Sequence, residues 1–356
     1  MNNKTYMHSK VLPLGNDSPI KNDLMLYIET EALLSNPKTI DSAQAWYMTN
    51  YTQFYSLSSR KTSMHKSNFY KSVQIHQPKN PFIKEKITTV LFYNSSTILN
   101  YIFDSINKGR YVKILLDHFY LPGYGYYKSK HVYHTEFIFG YDLNKRVIYV
   151  IGSNILKMGG FNRSVISFDS FIESYFSSKK AHSFHTITAL SINESKTYIF
   201  NIKKMYKGII SFYNSKMRLY DRIRLSNDIH SIFKVFGLAT YQVISNVLRD
   251  EFKMEEDTYL KSIKYLQAFA DYRKVMLQRI KYLYDNDYLT SSCYDVLIKN
   301  YTDLIEGFTI VINLYLKNYF SPNPHNEDVI LNHLDCLYNL EKQALFKLIT
   351  CLKAYI

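Results

Sequence analysis

Between Asp117 and Glu136 the sequence gathers five side chains able to move a proton or hold a cation: Asp117, His118, His131, His134 and Glu136. An imidazole beside a carboxylate is the smallest unit of general acid–base chemistry, because the ring titrates near neutrality and the acid selects its tautomer. His134 and Glu136 are two residues apart, which on a strand puts them on one face, with His131 turned away. The same five residues include enough donors for zinc or iron. The sequence has no His-Glu-x-x-His and no pair of closely spaced cysteines, however, and loosely spaced His and Asp usually serve other purposes. No metal and no cofactor is expected. A phosphate-binding glycine loop, a dinucleotide fingerprint and a Gly-x-Ser-x-Gly elbow are all missing from the sequence.

Three strands must position these residues. Arg110–Phe119 carries Val112, Ile114 and Leu116 in alternation, and the turn-rich Leu121-Pro122-Gly123 follows, with Asp117 read as its anchor. His134–Tyr141 and Arg146–Ile151 then form a hairpin closed by Asp142-Leu143-Asn144-Lys145. His134 begins the hairpin, and its return strand runs into Gly152-Ser153-Asn154.

Around this centre, helical spacing predicts helices over Asn22–Leu34 and Ser42–Tyr55, and another over Ser96–Asn107 closed by Lys108-Gly109. Ser56–Asn80 is polar, basic and aperiodic, and reads as a loop. Ile87–Tyr93 and His185–Leu190 read as strands, Thr197–Ile202 as a partner of the latter or a connection, and Ser167–Phe176 as a capped helix. Beyond about residue 203 the pattern predicts helices only. Apolar stripes run through Asp228–Glu251, Tyr259–Tyr284, Cys293–Phe320 and Glu327–Tyr355, an antiparallel bundle in its simplest arrangement.

Composition bounds the rest. A chain of 356 residues has room for two domains, expected here as 1–202 (α/β) and 203–356 (helical). The first residues have no signal-peptide core, and no apolar run is long enough to span a bilayer, so no membrane partner is expected. Cys293, Cys336 and Cys351, an odd number within helical patterns, read as reduced, packed thiols of a cytoplasmic protein. The net charge of +14 is concentrated early: residues 1–200 hold 23 Lys and Arg against 13 Asp and Glu. The densest basic run is Arg60–Lys86, a surface that would steer an acidic or phosphate-bearing partner. No nucleic-acid-binding module accompanies it, and nucleic acid is not expected as a partner.

Asp117-His118-Phe119-Tyr120-Leu121-Pro122-Gly123, His131-x-x-His134, Phe137-Ile138-Phe139-Gly140-Tyr141-Asp142, Val147-Ile148-Tyr149-Val150, and Gly159-Gly160-Phe161 with Ile166-Ser167-Phe168-Asp169-Ser170-Phe171 together carry a resemblance. This stretch, over about residues 85–180, resembles the C39-peptidase-like branch of the papain superfamily. It looks most like butirosin-biosynthesis-H-like proteins and relatives found with peptide and polyketide assembly lines. Phe236-Gly237 with Tyr241, and Tyr272, Met276, Arg279-Ile280 and Tyr282-Leu283, resemble the tail of the same relatives.

The resemblance implies an α+β fold: a papain-like domain around a central antiparallel sheet, then an all-helical bundle. It implies that His134 is the base, oriented by an Asp or Asn at the end of the return strand, where this sequence offers Gly152, Ser153 and Asn154. The family's thiol belongs on an N-terminal helix, but no cysteine precedes Cys293, and Ser18–Leu26 offers only Ser18, Lys21, Asn22 and Asp23. A serine alcohol stays protonated and needs a stronger base than a thiol does. The catalytic candidates are therefore His134, Asn154 and Asp117 in a site lacking its nucleophile. The expected function is that of an accessory protein of specialised-metabolite biosynthesis that binds carrier-linked acyl or peptidyl groups. The alternative is an active acyltransferase or amide hydrolase using His134 without a cysteine. Expected partners are an acyl or peptidyl carrier protein, a small-molecule or peptide acceptor, and a second copy through the helical domain.

Overall fold

Alternating β-branched and aromatic residues build the strands on which the candidate residues sit. The computed structural model describes residues 7–15, 18–20, 23–59, 70–75, 79–88, 94–153, 161–182, 186–216, 232–252 and 259–356. The chain divides into two compact units, Met1–Ala43 with Asn80–Thr197, and Gln44–Lys79 with Tyr198–Ile356. Residues 44–79 thus group with the helical half, and the later junction falls at 197/198 beside the expected 202/203.

The first unit is α+β. Its strands are β1 (Ser9–Val11), β4 (Ile83–Thr88), β5 (Arg110–Asp117), β6 (Tyr133–Asp142), β7 (Val147–Ser153), β8 (Phe161–Ser167) and β9 (Ile187–Ile192). Among the described residues they form one seven-stranded antiparallel sheet in the order β4-β9-β5-β6-β7-β8, with β1 added to β6. Its helices are α1 (Leu24–Leu34), α3 (Ser95–Asn107) and α4 (Phe168–Ala181). Each begins on a side chain that accepts from a free backbone N–H of the first turn: Asp23 from Leu26, Asn94 from Thr97, Ser167 from Ser170. Residues 136–141 of β6 are buried without a break, so both faces of the central strand are covered. Val112, Ile114, Leu116, Phe137, Ile138, Val150 and Ile151 of the sheet share one core with Ile98, Ile102 and Ile106 of α3 and Phe171 and Tyr175 of α4.

The second unit holds a small antiparallel sheet, β10 (Ile232–Phe236), β2 (Phe54–Ser59) and β3 (Tyr70–Ile75), in the order β10-β2-β3. Its helices are α5 (Ile202–Tyr213), α6 (Thr240–Glu251), α7 (Tyr259–Asp285), α8 (Ser291–Phe320) and α9 (Pro324–Leu352); α2 (Ile40–Asn50) spans the 43/44 division. The long helices are antiparallel: Leu337 of α9 lies over Gly307 of α8, and Cys351 reaches Cys293. At the centre, Arg273 pairs with Glu341 and stands among the rings of Phe54, Tyr241, Phe269, Tyr272 and Phe308. Arg279 donates to the carbonyls of Met48 and Tyr51, holding the end of α2 against α7.

Several expectations are corrected. Part of the expected Ser56–Asn80 loop is strand, because β2 and β3 satisfy one another's backbone despite polar side chains; most of the basic residues between 60 and 79 lie outside the described residues. Of the two readings of Thr197–Ile202, a partner strand or a connection, the structure has the connection: β9 pairs with β4 and β5, and Asn201 caps α5. The second half is not helical throughout. Ile232–Phe236 pairs with β2, and Gly237, at φ +60, separates this strand from α6. The apolar periodicity across 228–251 does not distinguish the strand from the helix, because pairing with β2 is long-range. Cys293 and Cys351 are not reduced thiols but a disulfide, and Cys336 is exposed rather than packed. Among the described residues, no helix is long and apolar enough to cross a membrane.

Two stability measurements follow. The disulfide closes a separation of 58 residues, worth up to about 4 kcal/mol by chain entropy. Dithiothreitol should lower the urea midpoint, and Cys351→Ser should be insensitive to it; equal midpoints for the native chain in both buffers would refute the bond. Separately, burial pushes the Glu29 carboxyl up to about 7, against the hydrogen bond from Asn80 and with repulsion from Glu85 and Asp23. The folded chain then keeps a proton that the unfolded chain has lost, so stability falls as pH rises from the usual carboxylate range to about 7. Glu29→Gln should flatten that slope in urea titrations, and an unchanged slope would rule Glu29 out as its source.

Candidate functional site

The site forms where β5 and β6 run side by side. Their register sets Leu116 opposite His134 and Ile114 opposite Glu136. Cross-strand partners share a face, so His134 and Glu136 project together beside Ile114 and Leu116, while Asp117 turns to the other face. β5 then ends in a tight turn, His118–Tyr120, which returns His118 toward Glu136.

Glu136 is the buried centre, with no exposed surface. His118 Nε2 lies 3.0 Å from its Oε1, and the Tyr124 hydroxyl donates to its Oε2 at 3.1 Å. Burial, reinforced by the charge of Glu136, raises the Tyr124 phenol far above its ordinary pKa and keeps it a donor. His134 Nδ1 approaches Oε1 to 3.7 Å, and the same nitrogen lies 3.0 Å from the Thr135 carbonyl oxygen. His118 is buried, but the His134 side chain keeps 39% of its surface exposed. Donor atoms of His118, His134 and Glu136 all lie within 4.8 Å of one another. Across the hairpin Gly152 faces Glu136, and a Cβ there would collide with the carboxylate, which occupies the space that glycine leaves.

Asp117 forms a second, separate arrangement. Its Oδ1 accepts from the Phe119 N–H, capping the turn that directly follows it. Its Oδ2 accepts from Ser177 Oγ at 2.6 Å and lies 2.7 Å from His131 Nδ1. Burial alone would raise the Asp117 carboxyl, but the Ser177, His131 and Phe119 hydrogen bonds and the His131 charge outweigh it and hold it below its ordinary pKa. Ser174 and Ser178 of α4 bond to the backbone of Asp117 and Leu115, fixing this end of β5. His131, half-exposed, stacks on Phe119.

Of the three catalytic candidates, His134 stands at the centre. Asp117 orients His131 rather than His134, because it lies on the opposite face of its strand. Asn154 lies outside the described residues. The acid nearest His134 is Glu136, two positions away on its own strand. That one-residue spacing was legible, whereas the arrival of His118 and Tyr124 depended on the turn after β5.

Gly152→Ala should destabilise the protein by about 1–3 kcal/mol through overpacking, read from urea midpoints. The loss should shrink in a Glu136→Ala background, because the two residues compete for one space. Purely additive losses would show that the contact does not matter. No family model matches the chain, and no curated protein matches it at a significant level.

Proposed function

We propose that this protein is a papain-like, C39-peptidase-like protein that binds acyl or peptidyl groups linked to a carrier protein, as an accessory to specialised-metabolite assembly. The observation that carries the reading is the half-exposed His134, at the start of the hairpin strand β6, in a sequence with no cysteine before Cys293. A site that keeps the base of a thiol enzyme and lacks its thiol is suited to recognition of a thioester more than to its cleavage. The positive balance of residues 1–200 adds support, since it favours encounter with an acidic, phosphate-bearing carrier.

One observation favours a second reading, direct acyl transfer to an acceptor amine or hydroxyl. When His134 Nδ1–H donates to the Thr135 carbonyl, Nε2 is left as the basic nitrogen. It would take the acceptor's proton as the acceptor attacks the thioester carbonyl, and the carrier's thiolate would leave and then be protonated. No protein nucleophile takes part in that sequence.

Titration calorimetry with an acetyl-loaded acyl carrier protein tests the binding role. A Kd of about 100 μM or tighter, at roughly −5.5 kcal/mol, is expected for the native chain and for His134→Ala alike; no measurable heat with either overturns the proposal. Product formation with a simple amine acceptor, lost in His134→Ala, would instead establish the transfer reading.

A further inference from the structure

We propose that His118, His134 and Glu136 form a binding site for one divalent d-block cation, zinc foremost. The inference is independent of carrier binding and rests on the spacing of three donor atoms around a buried carboxylate.

Donors bound to one tetrahedral cation at about 2.0–2.2 Å stand roughly 3.3–3.6 Å apart. The His118 Nε2–Glu136 Oε1 separation of 3.0 Å and the His134 Nδ1–Glu136 Oε1 separation of 3.7 Å bracket that range. The longer of the two is too long for a hydrogen bond and short enough for two ligands of a shared ion. The third side of the triangle closes within 4.8 Å.

The charge of Glu136 supports the same conclusion. A fully buried carboxylate is costly unless it is hydrogen-bonded, neutralised or paired with a cation, and a bound cation would supply the pairing. Among the described residues no lysine or arginine forms an ion pair with Glu136; its neighbours are the two imidazoles and the Tyr124 phenol. A divalent ion between the three donors neutralises Glu136, with both histidines neutral. Two imidazoles and one carboxylate are a donor set that suits zinc or iron(II) and not magnesium or calcium.

The surroundings match what a ligand carboxylate requires. Tyr124 donates to Oε2, leaving Oε1 toward the histidines, and Gly152 gives the carboxylate its space. Such outer hydrogen bonds set ligand orientation in metal sites. His118 and Glu136 are buried while His134 is partly exposed, so the ion has one side open to water, as sites with three protein ligands do. Binding requires the Nδ1 lone pair of His134. The proton on Nδ1 moves by way of solvent to Nε2, so the ring stays neutral with its one N–H on Nε2, and the bond to the Thr135 carbonyl is given up. In that state His134 is a ligand and no longer a base.

The full-length chain is loaded with Zn²⁺ or Co²⁺, desalted, and assayed for metal by mass spectrometry and for the visible absorption of four-coordinate cobalt. No carrier protein or acyl substrate is present, so the outcome is separate from the binding role proposed above. One ion per chain is expected, with loss of both signals in Glu136→Gln and in His134→Ala. His131→Ala should keep both, and Tyr124→Phe should weaken affinity about 10- to 100-fold. Should Glu136→Gln fail to fold by circular dichroism, the half-exposed His134→Ala decides. Metal content below one ion per chain, or equal content in the native chain and His134→Ala, overturns the site.

Discussion

A carboxylate without solvent in the middle of a sheet is the constraint around which this protein's first unit is arranged. Glu136 sits in a run of six buried residues on the central strand, where an unpartnered charge would cost several kcal/mol. Each neighbour answers that cost. Gly152 vacates the facing position, Tyr124 donates to one oxygen, and the turn after β5 brings His118 to the other. Asp117 fixes that turn from the opposite face, tied in its own right to α4 and His131. His134 is the one member of the Glu136 group that reaches the surface. The burial that stabilises the sheet thus creates a charged centre with one exposed edge.

The second unit meets the same problem differently. Arg273 and Glu341 are both fully buried, paired to each other and surrounded by aromatic rings. That pair has no exposed member, and among the described residues no histidine pairs with it. Its consequence is structural: it sets which faces of α7 and α9 meet, where apolar side chains alone would tolerate sliding. Of these two buried carboxylates, Glu136 is the one with a partly exposed imidazole beside it.

Much of this is legible in the sequence. The β5–β6–β7 stretch, the capped helix after Ser167 and the three long C-terminal helices follow from periods of two and of 3.6 residues, and the structure places them within a few residues of the expected bounds. The shared face of His134 and Glu136 follows from a single intervening residue. Where the reading failed, long-range pairing had overridden local pattern. Tyr70–Ile75 and Ile232–Phe236 are strands because each adds to β2, although one looked like loop and the other like helix. The Cys293–Cys351 bond follows from an antiparallel register that no spacing rule gives.

Sequence by itself determined a first half with strands and a mainly helical second half, the strand that carries His134, and the want of a cysteine ahead of Cys293. These are properties of composition and of local side-chain alternation, which the backbone imposes wherever the chain lies. Tertiary structure alone decided the partners. It assigned Asp117 to His131, brought His118 and Tyr124 to Glu136, and left His134 half in solvent. The physical reason is that a partner is fixed by strand register and by the path of the turn after β5. Both are settled only when the whole sheet closes around its buried charge.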